Sequence, residues 1–468
     1  MKDKLRPLLR DSMPVEKMEA CGIRLDISRQ RIDAQQYREL LALADEKGVL
    51  EQNREMQQGS VVNVSEGRAA LHTSLRNPSE NAPFHAQVQD VLERLCARTD
   101  DIRSGVWTGC RGDSITDVIN VGIGGSDVGP RAVYYALQKP NMPIRLHFLS
   151  AVDGTIFERV TSGLNPFKTL VVVSSKSFTT RETAVNAAAV DEWFARAGIV
   201  NKDRAYHMLL VSANSDAPRQ MRLPRENYFP IWDWVGGRFS VWSAVGFPIA
   251  IALGSKVFRE LLDGAHAMDC HAMNAPKEKN LPLNLALLSY WNANQNDMKT
   301  HCFLPYDERL RVMVQWLQQL EMESLGKNRT LHGQRVEGFT GQSVWGGHGN
   351  ESQHSFYQWL REGTVDSSID LLYCTSSGHK HDALHRVLLA NAKAQAEALI
   401  TRHEDDPYGN AVSTFEIDEL TPKRLGALMA MYEHKTTMLG TLLNINPFDQ
   451  PGVELGKLLS RRVEEGMQ

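Results

Sequence analysis

In QWLQQLEMESLGK, residues 315–327, Gln319 and Glu323 stand four positions apart. That spacing puts both side chains on one face of a helix, with apolar Trp316, Leu317 and Leu320 around them. A carboxylate in such a place either points into water as a solvated group, or faces a cleft and carries a proton to and from a bound molecule. His354, in NESQHSFYQW (350–359), sits among Phe356, Tyr357 and Trp359; it is either a satisfied core histidine or an acid–base group. Arg238 follows two glycines in DWVGGRFSVWSAVG (233–246). Glycines let a backbone approach a ligand closely, and the guanidinium could then stabilise an oxyanion; the alternative is an arginine salt-bridged at a helix start. Gln450 and Lys457 lie in FDQPGVELGK (448–457), a Pro- and Gly-broken segment expected to be irregular, where Lys457 taken alone is a surface residue.

Two other stretches have the chemistry of an anion site. In VINVGIGGSDVG (118–129) a short apolar run enters a glycine cluster. A dinucleotide fingerprint requires glycine at the first, third and sixth positions of that turn. Counting from Gly122, the sixth is Asp127, which argues against a nicotinamide or flavin. The glycines still free the amides near Gly125 and Ser126 to meet a ligand at a helix start. The second stretch is VVVSSKSFTTRET (171–183), where valines give way to five hydroxyl residues and a lysine before the next helix. Ser175, Ser177, Thr179 and Thr180 can donate O–H groups while the helix start adds N–H donors and a favourable dipole, a set suited to a phosphate monoester. The plainer reading makes Thr179 a helix cap, with Glu182 completing a capping box. Both can hold at once.

The elements that must carry these residues change character along the chain. Residues 1–100 show helix-period apolar spacing, as in YRELLALADEKGVL (37–50), and no strong strand run. From 117 to 213, DVINV, IRLHFLS, TLVVVSS and HMLLVSA alternate with helical stretches such as RAVYYALQK and ETAVNAAAVDEWFARAG. Strands alternating with helices imply a parallel, doubly wound sheet. A second alternation begins near 285: THCFLPY and SIDLLYC read as strands, while 308–326 and 383–400 read as single helices. The expected architecture is α/β, with two doubly wound modules (101–275 and 276–468) wrapped by N- and C-terminal helices, residues 1–100 forming a helical segment. Ligands in such sheets sit outside the carboxyl ends of the strands, where strand-to-helix turns converge.

Composition narrows the partners. A net charge of −4 offers no basic field for nucleic acid. The most apolar stretch, near 241–254, contains Ser and Pro and is too short to span a bilayer, and the opening MKDKLRPLLRDSMP has no apolar run that would read as a secretory signal. Six scattered cysteines with no C-x-x-C pair fit reduced thiols and a cytoplasmic setting. The histidines of GHKHDALH (378–385) resemble a metal tract, but no carboxylate-rich motif accompanies them, so no metal is expected.

Together these blocks resemble the glucose-6-phosphate isomerase family. DWVGGRFSVWSAVG and LLNINPFDQPGVELGK are similar to its two long signatures, and GIGGSDVGP, SSKSFTTRET and QQLEMESLGK to three more of its segments, from about residue 60 to the C-terminus. The resemblance implies an SIS-type sugar isomerase fold and interconversion of glucose 6-phosphate and fructose 6-phosphate through a cis-enediol(ate), with neither metal nor coenzyme. It implies phosphate ligands at Ser175, Lys176, Ser177 and Thr180, sugar contacts at Gly125, Ser126, Gln319 and Gln450, and a carboxylate base at Glu323. It further implies an enediolate-stabilising Arg238, ring opening by His354 and Lys457, and a homodimer in which His354 enters from the partner subunit. The chain departs from the family at Ser177, where Thr is frequent, at Leu325, where Asn is common, and at Pro451, where an aromatic is common; it is also shorter than many members, with no extended tail after the E-L-G-K block. None of these removes a reacting group. Two other readings stay open: an isomerase of another aldose phosphate such as mannose 6-phosphate, and a non-catalytic sugar-phosphate-binding protein on the same modules.

Overall fold

The computed structural model describes residues 17–178, 180–401 and 409–466. It begins with two strands that the helical reading of residues 1–100 did not anticipate. β1 (Lys17–Ala20) and β2 (Ile23–Arg29) form a hairpin around Cys21 and Gly22, whose φ values of 53° and 73° are those of a tight hairpin turn. In β2, Ile23, Leu25 and Ile27 are buried and alternate with more exposed Arg24 and Asp26, the period of a strand with one face in the core. The expected helices follow, at Ala34–Glu46, Val49–Gln58 and His85–Ser104.

The first expected sheet is present and entirely parallel. β3 (Asp117–Val121), β4 (Arg145–Leu149), β5 (Thr169–Ser174), β6 (Met208–Ser212) and a short β7 (Tyr228–Pro230) lie in the order β4-β3-β5-β6-β7. β3, β5 and β6 are buried along their whole length, which is why they read as unbroken apolar runs. The chain goes from β3 outward to β4, then returns to the other side of β3 with β5. The β3/β5 crevice is therefore the topological switch point, where such sheets bind ligands.

The second sheet contains β8 (Thr300–Pro305), β9 (Ser343–Gly346), β10 (Ser367–Cys374) and β11 (Ala411–Ile417), in the order β1-β2-β11-β10-β8-β9. The four later strands are parallel, and the N-terminal hairpin extends them antiparallel through β2 against β11. The first residues of the described chain thus complete the sheet built by its last third.

Between the modules runs the helix Pro422–Leu442, capped by Thr421, whose side chain accepts from the Arg424 amide. It is buried along nearly its whole length, including the consecutive polar residues Glu433, His434 and Lys435. It packs on the helix Ser255–Asn274 so closely that a Cβ on Gly264 would lie 1.9 Å from the Lys423 carbonyl, and one on Gly426 2.0 Å from that of Leu261.

Two stretches depart from expectation. Residues 308–326 are not one helix but a 3₁₀ turn, a short α segment (Met313–Leu317), a π-helical turn (Gln318–Met322) and a last turn from Glu323 to Leu325. The segment after Pro451, expected to be irregular, becomes the helix Glu454–Glu465.

Candidate active site

Both predicted anion turns lie at the β3/β5 switch point. After β3 the chain enters the Gly122–Ser126 turn, where Asn120 Nδ2 donates to the Ser126 carbonyl at 2.9 Å. Gly124 has φ +58°, and a Cβ on Gly125 would stand 2.0 Å from the Gly237 carbonyl oxygen. Only glycine allows that contact, and it locks the turn against the Gly236–Gly237 pair, delivering the adjacent Arg238. After β5, Ser175 hydrogen-bonds by its amide to the Val211 carbonyl at 2.9 Å, while its buried Oγ has no hydrogen-bond partner among the described residues. Such a buried hydroxyl is costly unless something else completes it. Lys176 turns away from the hydroxyls and donates Nζ to the carbonyls of Asp233 and Val235, at 2.7 and 2.8 Å. Burial, with Arg68 nearby, pulls its pKa down to about 8 against the opposing charges of Glu66 and Asp233. Ser177 lies in the same turn. Thr179, the expected cap, lies outside the described residues; Thr180 occupies the cap position of helix Arg181–Arg196, and its side chain makes no capping bond. A cavity of about 170 Å³ opens beside this turn, lined by Ser175, Phe178, Thr180 and Thr183.

The second module brings the carboxylate. Of the two readings of Glu323, the solvated one fails: its side chain is one-quarter exposed and its Oε1 lies 3.6 Å from Arg238 Nη1. Arg238 is buried in the short 3₁₀ turn Gly237–Phe239, so the ion pair it makes lies inside the protein and not on its surface. It donates Nε to Ser324 Oγ at 2.6 Å, Nη1 to Gln450 Oε1 at 3.1 Å, and Nη2 to the carbonyls of Pro447 and Asp449. Burial lowers its pKa, with Glu323 and Asp449 opposing. Gln319 comes to the same place: its Nε2 would lie 3.1 Å from a Cβ on Gly124, and its buried Oε1 has no hydrogen-bond partner among the described residues. The shared face expected of Gln319 and Glu323 is thus realised, on a wider turn than an α-helix.

The two remaining sequence candidates stand apart from this centre. Lys457 projects from the exposed Glu454–Glu465 helix and pairs with Glu454 at 2.8 Å. His354 follows the edge strand β9 and is exposed; among the described residues no hydrogen bond or ion pair joins its ring to Arg238, Gln319 or Glu323.

Several residues that hold the site were not singled out from sequence. Lys327 donates Nζ to the carbonyls of Glu323, Ser324, Asn446 and Asp449 at 2.9–3.0 Å, capping the Glu323 turn and clamping it to the 446–450 loop. The signal was available, since a lysine just after Gly326 is a usual partner for the last carbonyls of a helix. Asn446 extends the clamp to Asn63 and Ser65. The histidine tract at 378–385 is exposed, with His385 Nε2 on the Thr375 carbonyl at 3.0 Å. Among the described residues the group with metal-ligand spacing is Glu308, His348 and Glu351, where Arg311 already bridges both carboxylates at 2.7 and 2.8 Å. No helix among the described residues is long and apolar enough to cross a membrane.

Two doubly wound modules, with a carboxylate of the second meeting a guanidinium of the first next to the glycine turn at the switch point, fit the class of phosphosugar isomerases. The sequence profile of phosphoglucose isomerase matches residues 26–468, and the chain belongs to that family. It is 43% identical to a protein named glucose-6-phosphate isomerase 2 from Cupriavidus pinatubonensis, across 96% of this chain and 88% of that one. It is 42% identical to a glucose-6-phosphate isomerase from Burkholderia orbicola, across 95% and 86%. Among solved structures, a glucose-6-phosphate isomerase from Chlamydia trachomatis superposes with a TM-score of 0.86 at 29% identity, covering 100% of this chain and 91% of that one.

Proposed function

We propose that the chain interconverts glucose 6-phosphate and fructose 6-phosphate by moving one proton between neighbouring sugar carbons. The observation that carries this reading is the Arg238–Glu323 pair at 3.6 Å, set beside a hydroxyl-rich turn whose buried Ser175 Oγ awaits a partner.

In this reading the phosphate docks on Ser175, Ser177, Thr180 and the start of helix Arg181–Arg196, with Lys176 holding the turn and adding positive charge. An anchored phosphate fixes the far end of the sugar, so its binding energy is spent on orienting the reacting carbons. Gly125, Ser126, Gln319 and Gln450 line the sugar. Glu323 takes the proton from C2 of the open-chain aldose and returns it to C1, while a hydroxyl proton passes from O2 to O1, giving the ketose. Arg238 stabilises the enediolate oxygen formed between the two steps; it is already fixed by four hydrogen bonds, so it need not reorganise as the charge appears. Sugars bind mostly as rings, and opening the ring requires a proton on the ring oxygen and loss of one from O1. His354 and Lys457 take that step. His354 is exposed on its own chain, which suits a homodimer in which each copy lends this histidine to the other. Six free thiols suit a cytoplasmic enzyme.

Glu323→Gln tests the assignment. Turnover in an assay coupled to fructose 6-phosphate formation falls by about 10² or more, while KM changes little. Turnover near that of the parent removes Glu323 from the role.

A further inference from the structure

The π-helical turn that carries Gln319 also contains Glu321, a carboxylate with no part in the chemistry above. Glu321 is 3% exposed, and its Oε1 accepts from Lys435 Nζ at 2.8 Å. Lys435 is 1% exposed, within the buried helix Pro422–Leu442. His301, on β8, lies between two carboxylates: Nδ1 is 3.4 Å from Glu321 Oε2 and Nε2 is 2.9 Å from Asp370 Oδ2 on β10. Tyr432 donates its hydroxyl to the same Asp370 oxygen at 2.8 Å. Five buried side chains therefore run from the turn into the adjacent strands β8 and β10 of the second sheet and the helix behind them.

Their charges balance. Lys435 and His301 outweigh burial and hold the Glu321 carboxyl down at about 2. Asp370 and Glu321 raise the His301 pKa against burial and Lys435. Two carboxylates thus face an ammonium and an imidazole that favours its proton.

Such pairs are seldom kept for stability, because apolar residues of similar size usually serve as well. A π turn is also a rare insertion that recurs at functional sites. Helix geometry gives the buried pair a use here. Gln319 and Glu323 lie two residues before and two after Glu321, roughly 160° round the axis from it. Fixing Glu321 inward aims the other two outward, into the cleft.

We propose that Glu321 is a positioning residue: anchored on Lys435, it holds the widened turn so that Gln319 and Glu323 both meet the sugar. The proposal rests on the reading of Glu323 as proton carrier. Since Glu321→Gln leaves Lys435 buried without a counter-charge, the decisive protein is the double variant Glu321→Leu/Lys435→Met, which removes both charges and keeps the bulk.

The measurements are the thermal midpoint and the kcat and KM for fructose 6-phosphate. The double variant melts within a few degrees of the parent and keeps KM within about threefold, while kcat falls by roughly 10- to 100-fold, the scale of a 1 Å misplacement. Glu321→Asp, which preserves the ion pair, retains more kcat than Glu321→Gln. A double variant with the parent's kcat, or one that fails to fold, overturns the proposal, because the pair then serves stability alone. If Glu323→Gln keeps full turnover while the Glu321 variants lose it, the proton-carrier assignment fails and the positioning role stands.

Discussion

The two halves of the candidate site are built differently. The inner half, around Arg238, Glu323, Gln319 and Lys327, is cross-tied through a buried guanidinium: Arg238 alone joins the first module's 236–238 turn to Ser324, Pro447, Asp449 and Gln450. The outer half, His354 and Lys457, is exposed, His354 in a turn and Lys457 on the helix Glu454–Glu465, where it pairs with Glu454. The difference follows the chemistry assigned to each. Proton transfer between adjacent carbons, with charge developing on one oxygen, needs donors fixed before the substrate arrives. Ring opening needs groups that approach a substrate already seated, so they can lie on surfaces completed by closure or by a second copy. Inner substitutions should therefore disturb fold and rate together, and outer ones rate alone.

The largest effect belongs to Arg238. Arg238→Ala removes a charge donor and leaves the Pro447 carbonyl and the Ser324 hydroxyl without this partner, the Asp449 carbonyl keeping only Lys327. Turnover falls by about 10²–10³, and the unfolding midpoint drops by several degrees, as removal of a buried hydrogen-bonding hub does. An unchanged midpoint would contradict the inner half's description as a cross-tied unit. His354→Ala comes next. Its turnover on the ring-closed sugar phosphate falls by roughly 10²-fold, the low end for a positioned acid–base group, whereas an open-chain analogue is used almost as well as by the parent and the midpoint stays put. Equal loss on both substrates would return His354 to a different role.

How far the sequence announced this comparison differs by half. The parallel strands were legible because burial on both faces leaves an unbroken apolar run, as in TLVVVSS, and the turns at the switch point were legible because glycines and hydroxyls cluster where a strand ends and a helix begins. The β1–β2 hairpin was present as the alternation of Ile23, Leu25 and Ile27 and the Cys-Gly turn, but a signal that short is lost in a long helical region. Nothing in QQLEM distinguishes a π turn from an α-helix, because both have apolar and polar residues at similar spacing. The burial of Glu321 and Lys435 was equally hidden: each charge is tolerated in the core only because the other, 114 positions away, meets it, and a pair that distant leaves no mark on local periodicity. The Glu454–Glu465 helix was misread because Pro451 and Gly452 suggested a break that ends just before it.

A smaller effect comes from Lys176, between the halves. Its ammonium pKa is depressed to about 8, first by burial and then by Arg68. The sign follows directly. From about pH 8 up to the ordinary lysine value the unfolded chain holds the proton that the folded one releases, so this group's contribution to stability improves as pH rises. Binding moves the other way, since the form that holds the phosphate turn is the charged one. In free enzyme kcat/KM should therefore fall above about pH 8, whereas in the complex the phosphate dianion retains the proton and the kcat limb lies at higher pH. Lys176→Met should abolish the limb in kcat/KM and raise KM several-fold at neutral pH. A limb that survives in Lys176→Met belongs to another group.

The smallest stability effect is expected at Lys457, and it is the sharpest probe of the division. An exposed ion pair of this kind is worth at most about 0.5 kcal/mol, so Lys457→Ala should leave the unfolding midpoint within about a degree of the parent while lowering turnover on the ring-closed sugar. A helix as exposed as Glu454–Glu465, with Leu455, Leu458, Leu459 and Val463 facing solvent, has little of its own packing to lose. A drop of several degrees would mean that this helix is tied to the body of the protein in solution, and that the outer half is as fixed as the inner.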